Sequence, residues 1–277
     1  MSSENHLAVF CDFENVALGV KDGGGKAQFD MGAVLERLLL KGDIVVKKAY
    51  CDWDRYKEFK APMHEAAFEL IEIPHARQSG KNSADIRMVV DALDLCYTKS
   101  HVDTFVIISG DSDFSPLVSK LRENAKTVIG VGVKNSTSDL LIANCDEFIF
   151  YDDLVRQDET KKRSRRRPTK KTASKDQAKG KGDDKPDEDK MEDRLQGAID
   201  LVVETAEALL DERGEDDNLW GSMVKQALKR RRPEFNESYY GVRSFNKLLE
   251  EAQARGALEL ELDERSGGYI ISALAQE

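Results

Sequence analysis

Residues 104–114 have the sequence Thr-Phe-Val-Ile-Ile-Ser-Gly-Asp-Ser-Asp-Phe, and this stretch decides the fold. Its first five residues form an apolar run that is typical of a buried strand. The polar residues that follow place Asp111 and Asp113 where the strand ends and a helix begins. Two carboxylates, a glycine and two serines there form an oxygen-rich corner beside an apolar core. Such a corner suits a hard cation, Mg²⁺ or Mn²⁺.

Strand-like and helix-like segments alternate around this stretch, from residue 1 to about residue 154. Short apolar runs predict strands over residues 7–11, 44–50, 70–73, 104–108, 128–133 and 148–150. Helices are predicted after an Asp30 N-cap, over 84–97, from residue 114 or 115 onward and over 137–144. The apolar face of the helix over 84–97 is predicted from Ile86, Val89, Val90 and Leu93. This alternation predicts an α/β fold, a mostly parallel sheet with helices on both faces.

Further acidic residues follow other elements of this predicted sheet. Asp12 comes directly after the first strand, which is normally central in a doubly wound sheet and therefore ends beside Asp111. Asp85 opens the helix over 84–97. Six residues along a helix rotate by about 240° net, which places Asp91 on another face and outside the site. We therefore expect a metal site formed by Asp12, Asp85, Asp111 and Asp113.

A purely structural interpretation of each aspartate stays open. Aspartate after a strand is a common helix N-cap, and Asp113 could cap a helix that begins at Phe114. Several carboxylates in one cleft repel each other, and a divalent cation relieves that repulsion while offering positions to phosphate oxygens and a water. The sequence leaves open whether Asp113 is a helix cap, a metal ligand or both.

Composition bounds the class of protein. The 277 residues are 40% hydrophobic, and no apolar run approaches the roughly 20 residues that span a bilayer. The amino terminus lacks a basic and apolar leader, so we expect a cytoplasmic protein without membrane contact. Cysteines 11, 51, 96 and 145 are widely spaced in or beside apolar stretches, which indicates buried free thiols and argues against a zinc site or a disulfide framework.

The net charge of −10 is unevenly distributed and divides the chain into three regions. Residues 1–154 carry 17 Lys and Arg against 25 Asp and Glu, and residues 191–277 carry 11 against 19. Between them, residues 155–190 carry 14 against 8 with almost no apolar content, which predicts a disordered basic linker. That linker is either a site of non-specific RNA binding or a solvated tether.

Residues 191–277 are predicted to form a second, small domain. Amphipathic helices are expected around 195–203, 219–228 and 242–254, and residues 258–262 and 269–271 predict a β-hairpin. Three helices and a terminal hairpin are similar to a winged helix-turn-helix. A basic cluster at a helix end is either favoured by the helix dipole or contacts phosphate, with two tyrosines nearby for stacking: Lys229, Arg230, Arg231, Arg232, Tyr239 and Tyr240.

Four motifs in residues 5–153 together resemble the NYN domain, a PIN-like nuclease family that includes the bacterial LabA-type proteins. They are Phe-Cys-Asp-Phe-Glu-Asn at 10–15, Lys81 with Asp85 and Asp91, Ser-Gly-Asp-Ser-Asp-Phe at 109–114, and Ser138 followed by Asn-Cys-Asp-x-Phe at 144–148. The resemblance implies a Rossmann-like PIN fold and metal-dependent cleavage of RNA. It also implies an acidic site of Asp12, Asp85, Asp111 and Asp113, with Asn15 and Ser109 orienting substrate or ligands and Lys81 contacting phosphate.

The carboxyl-terminal region is similar to the OST-HTH or LOTUS domain, a family associated with RNA binding. The residues that carry this likeness are Trp-Gly-Ser-Met-Val-Lys-Gln-Ala-Leu-Lys-Arg at 220–230, Pro-Glu-Phe-Asn at 233–236 and Tyr-Tyr-Gly-Val-Arg-Ser-Phe at 239–245. Three hypotheses follow for the whole chain. It is a Mg²⁺- or Mn²⁺-dependent ribonuclease, a non-catalytic RNA-binding adaptor that retains the nuclease fold, or a protein-interaction scaffold. The oligomeric state is open, with a homodimer as one alternative.

Overall fold

The computed structural model describes residues 5–22, 29–73, 83–156, 186–213, 218–263 and 266–275. The chain divides into two compact units, residues 1–166 and 167–277. Lys81, the glycine-rich loop after Asp22 and most of the predicted linker over 155–190 lie outside the described residues. Within the described residues, no helix is long and apolar enough to cross a membrane.

The first unit is built on one six-stranded sheet in which all paired strands are parallel. Its strands are β1 (His6–Asp12), β2 (Asp43–Cys51), β3 (Glu69–Glu72), β4 (Thr104–Ile108), β5 (Thr127–Gly132) and β6 (Glu147–Phe150). Its helices are α1 (Phe13–Asp22), α2 (Met31–Leu39), α3 (Lys57–Glu65), α4 (Ser83–Thr98), α5 (Ser115–Glu123), α6 (Asp139–Asn144) and α7 (residues 151–156). The order of the strands is β3-β2-β1-β4-β5-β6, so the predicted α/β fold is confirmed.

The side chains of β1 point alternately to the two faces of the sheet, and each face has its own hydrophobic core. Leu7, Val9 and Cys11 point into a core covered by α1, α2 and α3. Ala8 and Phe10 point into a second core covered by α4, α5 and α6. Successive side chains of a strand face opposite sides, so a strand buried on both sides has to be apolar throughout. The helices therefore cover both faces of the sheet, as predicted.

Helices α1 and α3 of the first unit are missed by the sequence patterns, as is the short α7. Helix α1 has Phe13, Val16 and Gly19 on its buried side, and its glycine lowers helix propensity. Helix α3 contains Pro62 and fully buries only Met63, with Phe59 half-buried beside it, so its apolar stripe is short and interrupted. Tertiary packing stabilises both, because such short helices form in proteins mainly through their buried faces.

The predicted buried face of α4 is wrong in part. The buried side chains of this helix are Met88, Ala92 and Cys96, which belong to the second core, and α4 lies against β1 and β2. Ile86 and Val90 are instead exposed to solvent. Helix α4 carries two apolar stripes, and the pattern alone does not tell which of them faces the sheet.

The second unit is a small α+β fold. It contains α8 (Pro186–Arg213), β7 (Leu219–Trp220), α9 (Gly221–Arg231), α10 (Phe245–Ala254), β8 (Leu258–Asp263) and β9 (Gly268–Leu274). The hairpin of β8 and β9 is present as predicted, and β7 adds a third antiparallel strand beside β9. Two predicted boundaries are wrong. Residues 219–220 are a strand rather than the start of α9, and α8 begins inside the segment that composition assigned to the linker.

Candidate functional site

The strand order reverses at β1 and β4, and the polar residues of interest lie just beyond these two strands. The strands pair in parallel from Leu7 opposite Thr104 to Cys11 opposite Ile108. Asp12 and Ser109 therefore occupy equivalent positions at the carboxyl edge of the sheet. Crevices at such switch points are where open α/β sheets bind ligands. Helix α4 adds Asp85 from its first turn.

Asp12 is the innermost acidic residue of this edge, with 8% of its surface exposed. One carboxylate oxygen, Oδ2, accepts a hydrogen bond from the Ser109 hydroxyl at 3.1 Å. The other, Oδ1, accepts from the backbone N–H of Asn15 at 3.4 Å. A carboxylate has about four lone-pair positions, so each oxygen keeps a position for a further ligand. These contacts hold the carboxylate in place without neutralising it by a cation.

Asn15 and Ser109 fix the loop that follows β4. The side-chain oxygen of Asn15 accepts from the backbone N–H of Gly110 at 2.9 Å, and Ser109 Oγ accepts from the N–H of Asp111 at 3.2 Å. Gly110 lies so close to the next loop that a Cβ atom there would stand 2.4 Å from the carbonyl oxygen of Ser136. The glycine of the Ser-Gly-Asp stretch is therefore required by this close approach of two backbones.

Asp111, and not Asp113, is the capping residue of this loop. Its Oδ1 accepts from the backbone N–H of Asp113 at 2.9 Å and so caps a 3₁₀ turn, Ser112–Phe114, that leads into α5. The alternative in which Asp113 caps the helix does not hold, because the helical turn begins at Ser112, two residues before Phe114. The Asp113 side chain is exposed and does not line the cavity described below.

The acidic residues lower each other's acidity. Burial raises the pKa of Asp12 to about 7, and the nearby charge of Asp85 adds to the shift. Burial also raises the pKa of Asp85 to about 6, with further contributions from the charges of Asp111, Asp113 and Glu14. Both directions are those of carboxylates that lack a nearby cation. The edge therefore carries negative charge that the described residues do not compensate.

A cavity of about 250 Å³ opens between these elements. Its polar lining consists of Asp12, Glu14, Asn15, Asp52, Asp85 and Asp111. Its other wall is formed by Leu18, Tyr50, Cys51, Ile73 and Ala84. Three of the four predicted acidic residues, from β1, α4 and the loop after β4, thus line one space.

Glu14 and Asp52 line this cavity although the sequence analysis did not select them. Glu14 forms an ion pair with Arg55, with Oε1 and the guanidinium nitrogen 3.2 Å apart. Asp52 directly follows β2, and the rule that selected Asp12, an acid at the carboxyl end of a strand, would have selected it too. Glu14 had no such signal, because its position depends on the direction in which α1 leaves β1.

The donor set of the cavity fits a hard divalent cation in chemistry, since carboxylate and amide oxygens are the ligands that Mg²⁺ and Mn²⁺ prefer. The spacing is looser than in a formed metal centre. Across the described part of the chain, no three His, Cys, Asp or Glu side chains come together closely enough to hold a metal ion. A cation bound here would therefore draw Asp12, Asp85 and Asp111 towards each other.

Asp91 lies outside the lining of the cavity and has a different role. One of its oxygens accepts from the Tyr50 hydroxyl at 2.9 Å, and the other accepts from Arg87 Nε at 3.1 Å. Lys48 Nζ lies 3.5 Å from the same carboxylate. Asp91 thus holds Tyr50, whose ring forms part of the cavity wall, in one orientation.

The predicted RNA contacts of the second unit have mixed surroundings. Lys229, Arg230 and Arg231 occupy the last turn of α9, with Arg232 at its C-cap. Arg231 pairs with Glu204 of α8 and donates to Thr205 Oγ1 at 3.4 Å.

Tyr239 lies under the Arg194 guanidinium, 5.0 Å from the ring centre, and Tyr240 stacks on Phe235 with 5.2 Å between centres. Arg231 and Tyr240 therefore contribute to the packing of the unit.

Comparison with known proteins finds one family for the first unit. The NYN domain family model matches residues 6–152. An uncharacterized protein of Methanocaldococcus jannaschii is 25% identical over 137 residues, which are 50% of this chain and 54% of that protein. The chain thus spans about half the length of this curated relative. A solved structure of a protein of unknown function from Vibrio parahaemolyticus is 25% identical, with a TM-score of 0.49, and covers 56% of this chain and 97% of its own.

Proposed function

The chain belongs to the NYN domain family, and from this premise we propose that it is a metal-dependent ribonuclease that hydrolyses RNA phosphodiester bonds. The observation that carries the proposal is the shared cavity of Asp12, Asp85 and Asp111, in which two carboxyl pKa values are raised and no cation among the described residues pairs with these three carboxylates. Uncompensated, mutually repelling carboxylates in a cleft mark a functional site more often than a structural one.

The residues of the cavity have separable roles in this proposal. Asp12, Asp85 and Asp111 would hold Mg²⁺ or Mn²⁺, which when bound lowers the pKa of a water and offsets charge on the phosphoryl group under attack. Asn15 and Ser109 keep Asp12 and the loop after β4 in register through the bonds to Gly110 and to the carboxylate. We assign Asp113 to the rim, where it adds negative charge near Asp85, and Lys81 to phosphate contact.

The second unit is proposed to be an OST-HTH or LOTUS domain that recruits RNA. Its three helices and three-stranded sheet support this assignment. Arg230 and Arg232 are exposed at the end of α9 and are the best placed of the predicted contacts. Contacts to phosphate make affinity fall steeply with salt, so each arginine removed should reduce the salt dependence of RNA binding by about one counterion. The four buried free cysteines support a reducing, cytoplasmic location.

RNA cleavage by the full chain with added Mn²⁺ tests the proposal. We expect cleavage that EDTA abolishes and that Asp111→Asn reduces by roughly 100-fold, a typical effect of removing one group that stabilises developing charge. Asp43→Asn is the matched control, since Asp43 is an exposed acid at the amino end of β2, on the opposite edge of the sheet. Activity that survives EDTA, or that falls equally in both variants, would reject the proposal.

A second candidate is a non-catalytic RNA-binding adaptor that retains the nuclease fold. The loose spacing of the acidic residues favours it, because no described group of three is close enough to hold a metal ion. This candidate predicts salt-sensitive RNA binding, no cleavage with any divalent metal, and unchanged binding in Asp12→Asn. The same cleavage assay, run beside a binding assay, separates the two functions.

A further inference from the structure

Helix α4 presents an apolar stripe to solvent on the side away from the sheet. Ile86, Val90 and Tyr97 are 62%, 55% and 65% exposed, and Leu93 between them is half-buried. Single exposed apolar residues are ordinary, but a continuous stripe on one helix is typical of an interaction surface. The four side chains follow each other at intervals of four, three and four residues, which is the spacing of a seam between two packed helices.

The stripe is symmetric about its own centre. Positions 86 and 97, and positions 90 and 93, are equally far from the midpoint between residues 91 and 92. A twofold axis through that midpoint would cross two copies of α4 antiparallel. It would set Ile86 against the partner's Tyr97 and Val90 against the partner's Leu93. An interface of this kind uses the same patch on both copies, as most homodimers do.

The charges beside the stripe are complementary to themselves in the same arrangement. Arg87 and Asp94 lie seven residues apart on one flank, and both are exposed, although Arg87 Nε also donates to Asp91 of the same helix. In an antiparallel pair the same flanks meet, so Arg87 faces the partner's Asp94 and Asp94 faces the partner's Arg87. Arg87 and the partner's Asp94 are displaced from directly opposite positions by two residues, or about 3 Å along the helix, and an arginine side chain spans this distance. A flank with both signs is poorly suited to a polyanion such as RNA.

We propose that α4 forms the interface of a homodimer of this chain, with the two helices crossing antiparallel near Asp91 and Ala92. Four side chains from each copy are fewer than the 20–30 residues a side of a standard stable interface. We therefore expect dissociation in the micromolar range. This inference does not depend on the proposed function, because the stripe lies outside the acidic cavity.

Sedimentation of the full chain over micromolar to submillimolar concentrations tests the interface. We expect a concentration-dependent dimer, and Val90→Glu should raise its dissociation constant at least about tenfold because a buried charge costs more than 1.4 kcal/mol there. Leu40→Glu is the matched control, since Leu40 is 77% exposed and lies after α2. The dissociation constant of the Leu40→Glu dimer should equal that of the parent chain. Circular dichroism should show that both variants are folded.

The flanking charges give a second test that no other occupant of the stripe would pass. Asp94→Arg and Arg87→Glu should each weaken the dimer, because each sets like charges against each other. Circular dichroism should show that Arg87→Glu is folded, since this change also removes the pair with Asp91. A mixture of the two variants should form a heterodimer, in which both opposite-charge pairs are present. A chain that stays monomeric at all concentrations, a dimer that tolerates Val90→Glu, or a mixture that fails to pair would each overturn the proposal.

Discussion

Two aspartates of the same helix, six residues apart, lie in opposite electrostatic surroundings. Asp91 is bonded to a phenol and lies close to two cations, Arg87 and Lys48. Asp85 is surrounded by like charges, which together with burial raise its pKa to about 6. Folding alone favours the first arrangement and is penalised by the second. The comparison distinguishes Asp91, an aspartate that stabilises the fold, from Asp85, an aspartate whose charge is available to bind a ligand.

The largest expected effect is on activity. Asp85→Asn should lower the Mn²⁺-dependent cleavage of RNA by roughly 100-fold, because it removes one of the three carboxylates that are proposed to hold the metal. The folded state should lose no stability without metal, since the change relieves repulsion. Initial rates and thermal unfolding in EDTA measure the two effects. If the variant is as active as the parent chain, Asp85 is not part of the site.

Asp91→Ala should show the reverse pattern. It leaves the buried Tyr50 hydroxyl without its acceptor and two cations without their shared carboxylate, at a cost of about 2–3 kcal/mol in the free energy of unfolding. Urea denaturation measures this cost. Asp43→Ala, at an exposed aspartate that begins β2, is the control and should change stability by less than about 0.5 kcal/mol. If both variants lost the same free energy of unfolding, Asp91 would not stabilise the fold more than an exposed aspartate does.

The pH dependence of the metal-free chain tests the repulsion directly. Asp12 and Asp85 have folded-state pKa values of about 7 and about 6, above those of an unfolded chain. The folded state therefore keeps protons that the unfolded chain has released, and their stabilising effect is lost as pH rises through 6 to 7. We expect stability to fall by on the order of 2 kcal/mol between about pH 5 and pH 8 in EDTA.

Two further measurements sharpen that result. The Asp12→Asn variant should lose most of the pH dependence, because its amide does not titrate, while Asp43→Asn should keep it. Saturating Mn²⁺ at pH 8 should restore stability to the parent chain, since a ligand that binds only the folded state stabilises it. A parent chain whose stability rises between pH 5 and pH 8 would contradict the assignment of raised pKa values.

The smallest expected effect belongs to Tyr50→Phe. The change removes one hydrogen bond to Asp91, which keeps Arg87 and Lys48, so the cost should be about 1 kcal/mol. Urea denaturation measures it. A loss as large as that of Asp91→Ala would show that the phenol, rather than the two cations, is the main partner of the carboxylate.

The periodic parts of this molecule were predictable from its sequence. Apolar runs gave all six strands of the sheet, and the hairpin of β8 and β9 followed from strict alternation and a Gly-Gly turn. Helices α1 and α3 were not predicted, because a glycine and a proline interrupt their patterns. The buried side of α4 was misjudged in part, since two apolar stripes compete on it and only contact with the sheet selects one.

The candidate site was also predictable from the sequence only in part. Asp12, Asp85 and Asp111 were expected together because parallel strands end at one edge of a sheet. The sequence left open whether Asp113 is a helix cap, since the answer depends on which residue begins the 3₁₀ turn. Glu14 joined the cavity only through the direction of α1, which no spacing in the sequence encodes.

The sequence by itself determined the α/β class, the positions of the strands and the set of acids at their ends, because hydrophobic periodicity and strand ends are local properties. Tertiary structure alone decided which of these acids meet a cation. Among the described residues, Asp91 is compensated because Lys48 on β2 reaches the same face of the sheet, whereas only carboxylates converge on Asp85. The sign of the charge nearby depends on packing between distant segments, and that distinguishes the proposed site from the scaffold.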